Sequence, residues 1–531
     1  MISVMTHPNL VGSMMDPTFY PEPVNHIELI QTHISYIFIA GDFVYKVKKP
    51  VNFGFLDFTS LEKRRYFCER EIELNRRLAP QAYLEVIPLY TDELGKLRLG
   101  KGPGEVVEYS VKMIKLPQDR MLKHLLSKKM AGIPEMKKIA EKIADFHSKA
   151  ETGGKIDEMG RADIIKFNWD ENFEQTKKYI GVVLTREKFD FMHDYVHSFM
   201  EREKFLFERR IIEQKIRDCH GDLHLEHICL TDGTIIFDCI EFNERFRYSD
   251  TASEVAFLAM DLDFNGYSNY ADVFVETYIE KSGDRELALL LNFYRCYRAY
   301  VRAKVVNFRL DESELSQEDY EALSETAGKY YDLAFRYAAK PTKPIFILFA
   351  GLMGTGKSVL SKRIAPFLNA EIIRTDVLRK EMLNLDLAER HFEDFGQGIY
   401  SEQISENTYD LALKKAQQII VNGKSVIIDA SYKRRKERQK AQEMAQRLGV
   451  DFFIIECVCP ESEIRQRLER RLNKKTEPSD GRWQLYELQK GDFEKINERG
   501  LKEIQESKHV VIDTCLPIDK SVTLALRGIR L

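Results

Sequence analysis

Two rhythms of apolar and polar residues divide this chain. In the last third, short unbroken apolar runs alternate with longer stretches of helical period. Ile345-Phe346-Ile347-Leu348-Phe349-Ala350 leads through a glycine-rich turn into a helical pattern from Val359. Further runs lie at 371–376, 425–429, 451–457 and 509–513, with helices at 401–422 and 461–471 among them. Runs without polar alternation mark strands covered on both faces. Strands separated by helices predict a parallel, doubly wound α/β sheet.

The first two-thirds read differently. Residues 1–25 have no period, whereas 35–40 (SYIFIA) and 43–48 (FVYKVK) are strand-like and flank Gly41-Asp42, a hairpin signal. A charged helix is predicted over 61–78 and another strand over 106–114. Helical spacing marks 136–149 and 173–215; a strand over 235–242 (IIFDCIEF) precedes helices at 250–263, 286–308 and 320–339. Lys340-Pro341-Thr342-Lys343-Pro344 then breaks the pattern, because two prolines in a short polar run mark a boundary. The expected organisation is an α+β domain over 1–338, a linker over 339–344 and an α/β domain over 345–531.

Composition narrows the function classes. At 531 residues the chain exceeds what one core supports. A net charge of −4 gives no general attraction to nucleic acid or anionic membranes, so any anion site must be local. No apolar stretch approaches a membrane span, and the N-terminus lacks the basic start and apolar core of a secretion signal. Cys68, Cys219, Cys229, Cys239, Cys296, Cys457, Cys459 and Cys515 show no paired CxxC spacing. That argues against a disulfide framework or zinc cluster and for a reducing cytoplasm.

The clearest chemistry is Gly351-Leu352-Met353-Gly354-Thr355-Gly356-Lys357-Ser358, which has both the residues and the flanks of a phosphate-binding loop. Its glycines let backbone N–H groups turn inward, and the helix start adds a field that favours anions. Lys357 would reach the terminal phosphates of a nucleoside triphosphate and Ser358 would offer its hydroxyl to Mg²⁺. Asp376 and Asp429 each close a predicted strand, on the side where open α/β sheets bind ligands. Asp429 is the expected acidic partner in the Mg²⁺ shell, although strand-end aspartates also form turns. Arg467, Arg470 and Arg471 in ESEIRQRLERR are either a solvated basic face or a lid over the phosphates.

In the first domain, Lys46 and Lys48 share one face of their strand, and Glu69, Glu71 and Glu73 lie on the next helix. A strand lysine followed by a helix glutamate suits phosphate binding, but by itself the pattern is better explained by solvated surface. The stretch Cys219–Leu230, CHGDLHLEHICL, with the acidic run after it, resembles the catalytic and metal loops of aminoglycoside phosphotransferase-like kinases. That family includes choline- and homoserine-kinase relatives, and the likeness covers about residues 30–335. The resemblance implies a two-lobed, protein-kinase-like fold in which Asp222 accepts the substrate hydroxyl proton and His220 braces the loop. It also makes Lys46 the phosphate-binding lysine and Glu71 its partner. His227 stands where the family has a metal-binding Asn, and Ile240-Glu241-Phe242 where it has Ile-Asp-Phe, with Asp238 three residues earlier. The metal candidates are therefore His227, Asp238 and Glu241, with imidazole a poorer ligand than an amide oxygen for a hard cation. A rival reading joins His220, His224 and His227 with Asp222 or Glu226 in a transition-metal site, which the spacing does not favour. Arg295, Arg298 and Arg302 share a helix face, as a solvated stripe or a wall for an anionic substrate.

The second domain resembles the small P-loop kinases, which include gluconate-, shikimate- and polynucleotide-kinase-like proteins. That likeness implies that Asp376 orients or deprotonates the acceptor hydroxyl. The order of the two domains resembles bacterial fusions of an aminoglycoside phosphotransferase-like domain with an ATP-binding P-loop domain. The expected activity is ATP- and Mg²⁺-dependent phosphotransfer to a small-molecule hydroxyl. One alternative is a nucleotide-sensing switch in which the first domain is degenerate and regulates the second. The other is a polynucleotide end kinase, which the net acidity counts against.

Overall fold

A computed structural model of the protein describes residues 9–312, 315–386, 396–472, 482–496 and 507–530. They fall into two compact units, one drawn from 1–178 and 196–334, the other from 179–195 and 335–531.

Six antiparallel strands form the main sheet of the first unit: β1 (Ile27–Gln31), β2 (Ser35–Ala40), β3 (Phe43–Lys48), β4 (Tyr83–Thr91), β5 (Leu97–Leu99) and β6 (Val106–Ile114). Their order is β1-β2-β3-β6-β4-β5, and the β2–β3 hairpin closes with Ala40 opposite Phe43 as predicted. Helix α1 (Leu61–Asn75) begins at Ser60, whose hydroxyl accepts the Lys63 N–H. Arg64, Cys68, Glu71, Ile72 and Asn75 recur at helical spacing and are its buried stripe. Charged members of that stripe need partners. Arg64 finds one in Glu108 of β6, with Nε 2.9 Å from both carboxylate oxygens.

The helical half contains α2 (Ile133–Lys149), α3 (Lys204–Ile212), α4 (Thr251–Phe264) and α5 (Leu287–Arg309). Short antiparallel pairs join β7 (Ile216–Asp218) to β10 (Tyr248–Asp250) and β8 (Ile228–Leu230) to β9 (Thr234–Ile236). Asp250 caps α4 by accepting the Ala252 N–H, and its carboxylate is also held by buried Arg210 of α3 at 2.6 and 2.9 Å. The same guanidinium reaches Asp284 at 2.6 Å.

Three expectations change here. The strand predicted over 235–242 stops at Ile236, because Asp238 takes φ +62°, outside strand geometry. The helical stretch 173–215 is broken into Ala162–Thr176, Arg186–Arg202 and Lys204–Ile212. Strands β1, β4 and β5 lacked a readable signal: β1 has mostly exposed side chains, and β4 carries Pro88 in mid-strand.

In the second unit five parallel strands, β11 (Ile345–Ala350), β12 (Ala370–Arg374), β13 (Ser425–Asp429), β14 (Asp451–Val458) and β15 (Ser507–Asp513), take the order β12-β13-β11-β14-β15. Every residue of the central strand β11 is buried, as its unbroken apolar run requires. From β11 the chain fills one side of the sheet with β12 and β13, then crosses to the other for β14 and β15. The carboxyl end of β11 is thus the switch point at which such sheets bind ligands. Helices α6 (Lys357–Leu368), α7 (Thr375–Met382), α8 (Glu402–Val421), α9 (Arg435–Leu448), α10 (Glu461–Leu472) and α11 (Ile518–Arg530), with a short helix over Trp483–Gly491, belong to the same doubly wound unit. The strand predicted over 371–376 ends at Arg374, and Asp376 lies in the first turn of α7. Among the described residues no helix is long and apolar enough to cross a membrane.

Arg210→Ala strips two buried carboxylates of their cation. It is expected to cost the first unit about 3–5 kcal/mol. In a Trp483→Phe background, fluorescence of Trp169 follows that unit alone, and its denaturation midpoint should fall clearly below that of the parent.

Candidate active sites

β3 presents two ammonium groups to one helix carboxylate. Lys46 Nζ lies 2.9 Å from Glu71 Oε1 and Lys48 Nζ 2.7 Å from Glu71 Oε2. Lys46 also donates to Asp238 Oδ1 at 2.8 Å, and Lys48 pairs with Glu241. Burial opposes a charge on Glu71, but the two lysines outweigh it and hold the carboxyl below its ordinary range. Burial opposes the charge on Lys46 as well; Asp238 and Glu71 overcome it. Lys48, to which the sequence assigned no role, is fully buried and lies 4.9 Å from the centre of the Phe58 ring. Glu241, expected as a metal ligand, is buried against Lys48 instead. The left-handed backbone at Asp238 interrupts the strand, and it is Asp238 that meets Lys46.

The catalytic-loop candidate is held from beneath by Glu254 of α4, which the sequence reading missed. Its carboxylate accepts the N–H groups of His220 at 2.8 Å and Gly221 at 2.6 Å, and pairs with His147 Nε2 at 2.9 Å. Gly221 has φ +87°, and a Cβ there would sit 3.1 Å from the Phe246 carbonyl oxygen, so the tight turn demands glycine. His220 donates from Nε2 to the Phe237 carbonyl at 3.0 Å, which leaves Nδ1 to accept the Asp222 N–H at 3.3 Å. Burial pushes its pKa down to about 4, so the ring is neutral and braces the loop.

Asp222 Oδ2 lies 3.4 Å from His224 Nε2 and 3.5 Å from His227 Nδ1. Burial pushes this carboxyl up, but His224, His227 and Arg302 outweigh it and hold it well below the usual range. His227 Nδ1 is also 3.0 Å from the Asp222 carbonyl oxygen, and its Nε2 is 3.5 Å from Asp238 Oδ2. Lys46, Glu71, Asp222, His227 and Asp238 therefore converge, while Glu241 does not join them.

Two other expectations are corrected. Arg298 is buried and donates to the Ser253 and Gly221 carbonyls, and Arg295 lies 3.5 Å from Asp263, so neither forms a substrate wall. Arg302 remains near Asp222, with its guanidinium 5.7 Å from the centre of the Tyr330 ring. The three-histidine metal site is also incomplete. His220 is committed to Phe237, although donor atoms of Asp222, His224 and His227 lie within 4.8 Å of one another. His224 Nδ1 accepts the Glu226 N–H, so its Nε2 carries the proton that faces Asp222.

In the second unit, Gly351 has φ +127° and a Cβ there would meet the Cys457 carbonyl oxygen at 2.5 Å. Only glycine lets the loop rest on the end of β14. Thr355 Oγ1 donates to the Leu352 carbonyl at 2.8 Å, and the Met353 N–H donates to Gln489 at 2.7 Å. Lys357 Nζ curls across the loop, donating to the Gly351 and Leu352 carbonyls at 2.9 and 2.7 Å. Ser358 lies in the first turn of α6 with its hydroxyl near the carboxylate of Asp429; burial raises that carboxyl's pKa and the hydroxyl opposes the rise. A hydroxyl and a carboxylate are the hard oxygen donors that Mg²⁺ takes. The matching pair in the first unit, Asp238 and His227, offers one oxygen and one imidazole nitrogen, a set that does not fit Mg²⁺.

Asp376 Oδ1 lies 3.5 Å from Arg379 and close enough to Asp429 for the two charges to interact. Arg467 is tied to Thr514, with Nη1 3.0 Å from Oγ1 and Nη2 2.9 Å from the carbonyl oxygen. It lines a cavity of about 410 Å³ beside Gly354, Gly356, Leu360, Thr514 and Leu516. Thr514 and Leu516 follow β15, and only their place after the last strand could have marked them. Arg470 lines the same cavity, whereas the side chain of Arg471 lies outside the described part.

These folds define a chain of two units, the first an antiparallel sheet with a helical half and the second a parallel α/β sheet with a phosphate-binding loop. A family model described as an AAA domain matches residues 346–496 of the second. The chain belongs to the family of uncharacterized protein Rv2004c of Mycobacterium tuberculosis (strain ATCC 25618 / H37Rv). The two are 34% identical over 423 residues, 79% of this chain and 81% of that protein. Uncharacterized protein Mb2027c of Mycobacterium bovis matches at the same 34% identity over the same share of each chain. Among solved structures, a choline/ethanolamine kinase family protein from Mesorhizobium loti covers 62% of this chain and 98% of its own, at 11% identity and a TM-score of 0.37. A gluconokinase from Sinorhizobium meliloti 1021 covers 35% and 92%, at 21% identity and a TM-score of 0.25.

A histidine whose folded pKa is depressed makes stability fall with pH. Below about 6.5 the unfolded chain takes up the His220 proton, while the folded chain refuses it until about pH 4. The first unit should lose stability across that window, and His220→Asn should flatten the loss. Histidine NMR should show one imidazole that stays neutral down to about pH 4.

Proposed function

We propose that this chain is an ATP-dependent phosphotransferase with two nucleotide-binding units, each passing a γ-phosphate to a hydroxyl of a small molecule. The observation that carries this reading is the Ser358–Asp429 pair beside Lys357, set in a glycine cradle at the switch point of a parallel sheet. In that unit Lys357 exchanges its loop carbonyls for the terminal phosphates, and the loop N–H groups hold the rest of the triphosphate tail. A bound Mg²⁺ supplies further charge compensation. Asp376 presents the acceptor hydroxyl, and the cavity beside Thr514 and Leu516 takes the nucleoside.

In the first unit Lys46, fixed by Glu71, takes the phosphates, and Asp222 accepts the acceptor's hydroxyl. Its low proton affinity suits it to orienting that hydroxyl rather than storing the proton. A second reading, in which the first unit senses nucleotide and regulates the second, is favoured by one observation: His227 stands where the family this stretch resembles has a metal-binding Asn.

The test is ATP consumption against a panel of sugars, aminoglycosides, nucleosides and oligonucleotide ends. Lys357→Ala should lower kcat of the second unit about 10²–10³-fold. Asp222→Ala should lower that of the first about 10²–10⁴-fold, on a different acceptor. If Lys357→Ala alone abolishes all turnover, the first unit is regulatory. Turnover that survives both substitutions contradicts the proposal.

A further inference from the structure

His227 brings to the first site a chemistry that phosphotransfer to a hydroxyl does not require. Its Nδ1 sits 3.0 Å from the Asp222 carbonyl oxygen, and a carbonyl can only accept, so Nδ1 carries the ring proton. A bond of this kind fixes the tautomer and leaves the other nitrogen as a ligand. That nitrogen, Nε2, faces Asp238 Oδ2 at 3.5 Å. In the neutral ring two lone pairs then oppose each other, an arrangement that calls for a cation between them. Asp238 is held for the same task, because its other oxygen is engaged by Lys46 at 2.8 Å. Two donors from opposite sides of one gap, each oriented by a bond at its far end, make a built half-site.

We infer that His227 Nε2 and Asp238 Oδ2 together bind a borderline divalent cation, of which Mn²⁺ is the type, in preference to Mg²⁺. Mg²⁺ is hard, dehydrates reluctantly and is served by oxygen; imidazole suits first-row transition ions. Asp222 stays outside the ligand pair, because its carboxylate is engaged by the protonated Nε2 of His224. The remaining positions belong to water or to phosphate oxygens, and only that last point rests on the phosphotransferase reading. The two units would then differ in metal: Ser358 and Asp429 offer oxygen alone.

That difference supplies the test. The untagged full-length chain is loaded with Mn²⁺ and examined by pulsed EPR for the ¹⁴N modulation of a coordinated imidazole. The second unit's oxygen pair contributes no such signal. The wild type should show it; Lys357→Ala should keep it. His227→Asn, which restores an amide oxygen, should lose the nitrogen signal while retaining its folded circular dichroism. Asp238→Asn should lower the number of bound Mn²⁺ by one per chain. An absence of ¹⁴N modulation at saturating Mn²⁺, or its survival in His227→Asn, overturns the inference. Turnover with no nitrogen signal would overturn the metal assignment alone, whereas a nitrogen signal with no turnover would overturn only the phosphotransferase reading.

Discussion

The carboxylate of Glu71 is the constraint on which the first site depends. It is fully buried and takes a separate lysine on each oxygen, which ties α1 to β3. Lys48 carries the tie on to Glu241, and Lys46 carries it to Asp238, so the segment after β9 is located by the same cluster. Burying so many charges is costly unless each is paired, and here every member has a partner of opposite sign. The return is positional. Lys46 is held between two carboxylates, at 2.9 Å from Glu71 and 2.8 Å from Asp238, with its reach and charge fixed.

The second unit solves the same problem with backbone. Its anion cradle is a row of N–H groups at a helix start, and its single lysine needs no buried glutamate because the loop carbonyls of Gly351 and Leu352 hold it. Glycine conformation does there what a charge network does in the first unit. The metal positions proposed for the two units also differ, with oxygen donors in one and an oxygen–nitrogen pair in the other.

Legibility in the sequence followed from how local each feature is. Gly351 to Ser358 is contiguous, so strand, loop and helix start were readable together. The β2–β3 hairpin, β6, β13 and the helices around them also carried their own period. What failed was anything set by a distant partner. Lys48 and Lys46 are indistinguishable on one strand face, and only the packing of Glu241 against Lys48 separates their roles. Glu254 lies in an apolar helix with no motif of its own, yet it holds the His220 and Gly221 N–H groups. Asp238 and Glu241 were both metal candidates; the triplet around Glu241 is local, whereas the left-handed backbone at Asp238 and its contact with Lys46 are not readable in the sequence. The arginines of α5 shared a face as predicted, but burial turned Arg298 inward.

Both units are proposed to hold a triphosphate tail, and binding stoichiometry tests this most directly. Equilibrium dialysis with a nonhydrolysable ATP analogue should give two molecules per wild-type chain, one in Lys357→Ala and one in Lys46→Ala. Two sites in Lys357→Ala, or none in the wild type, would contradict the account.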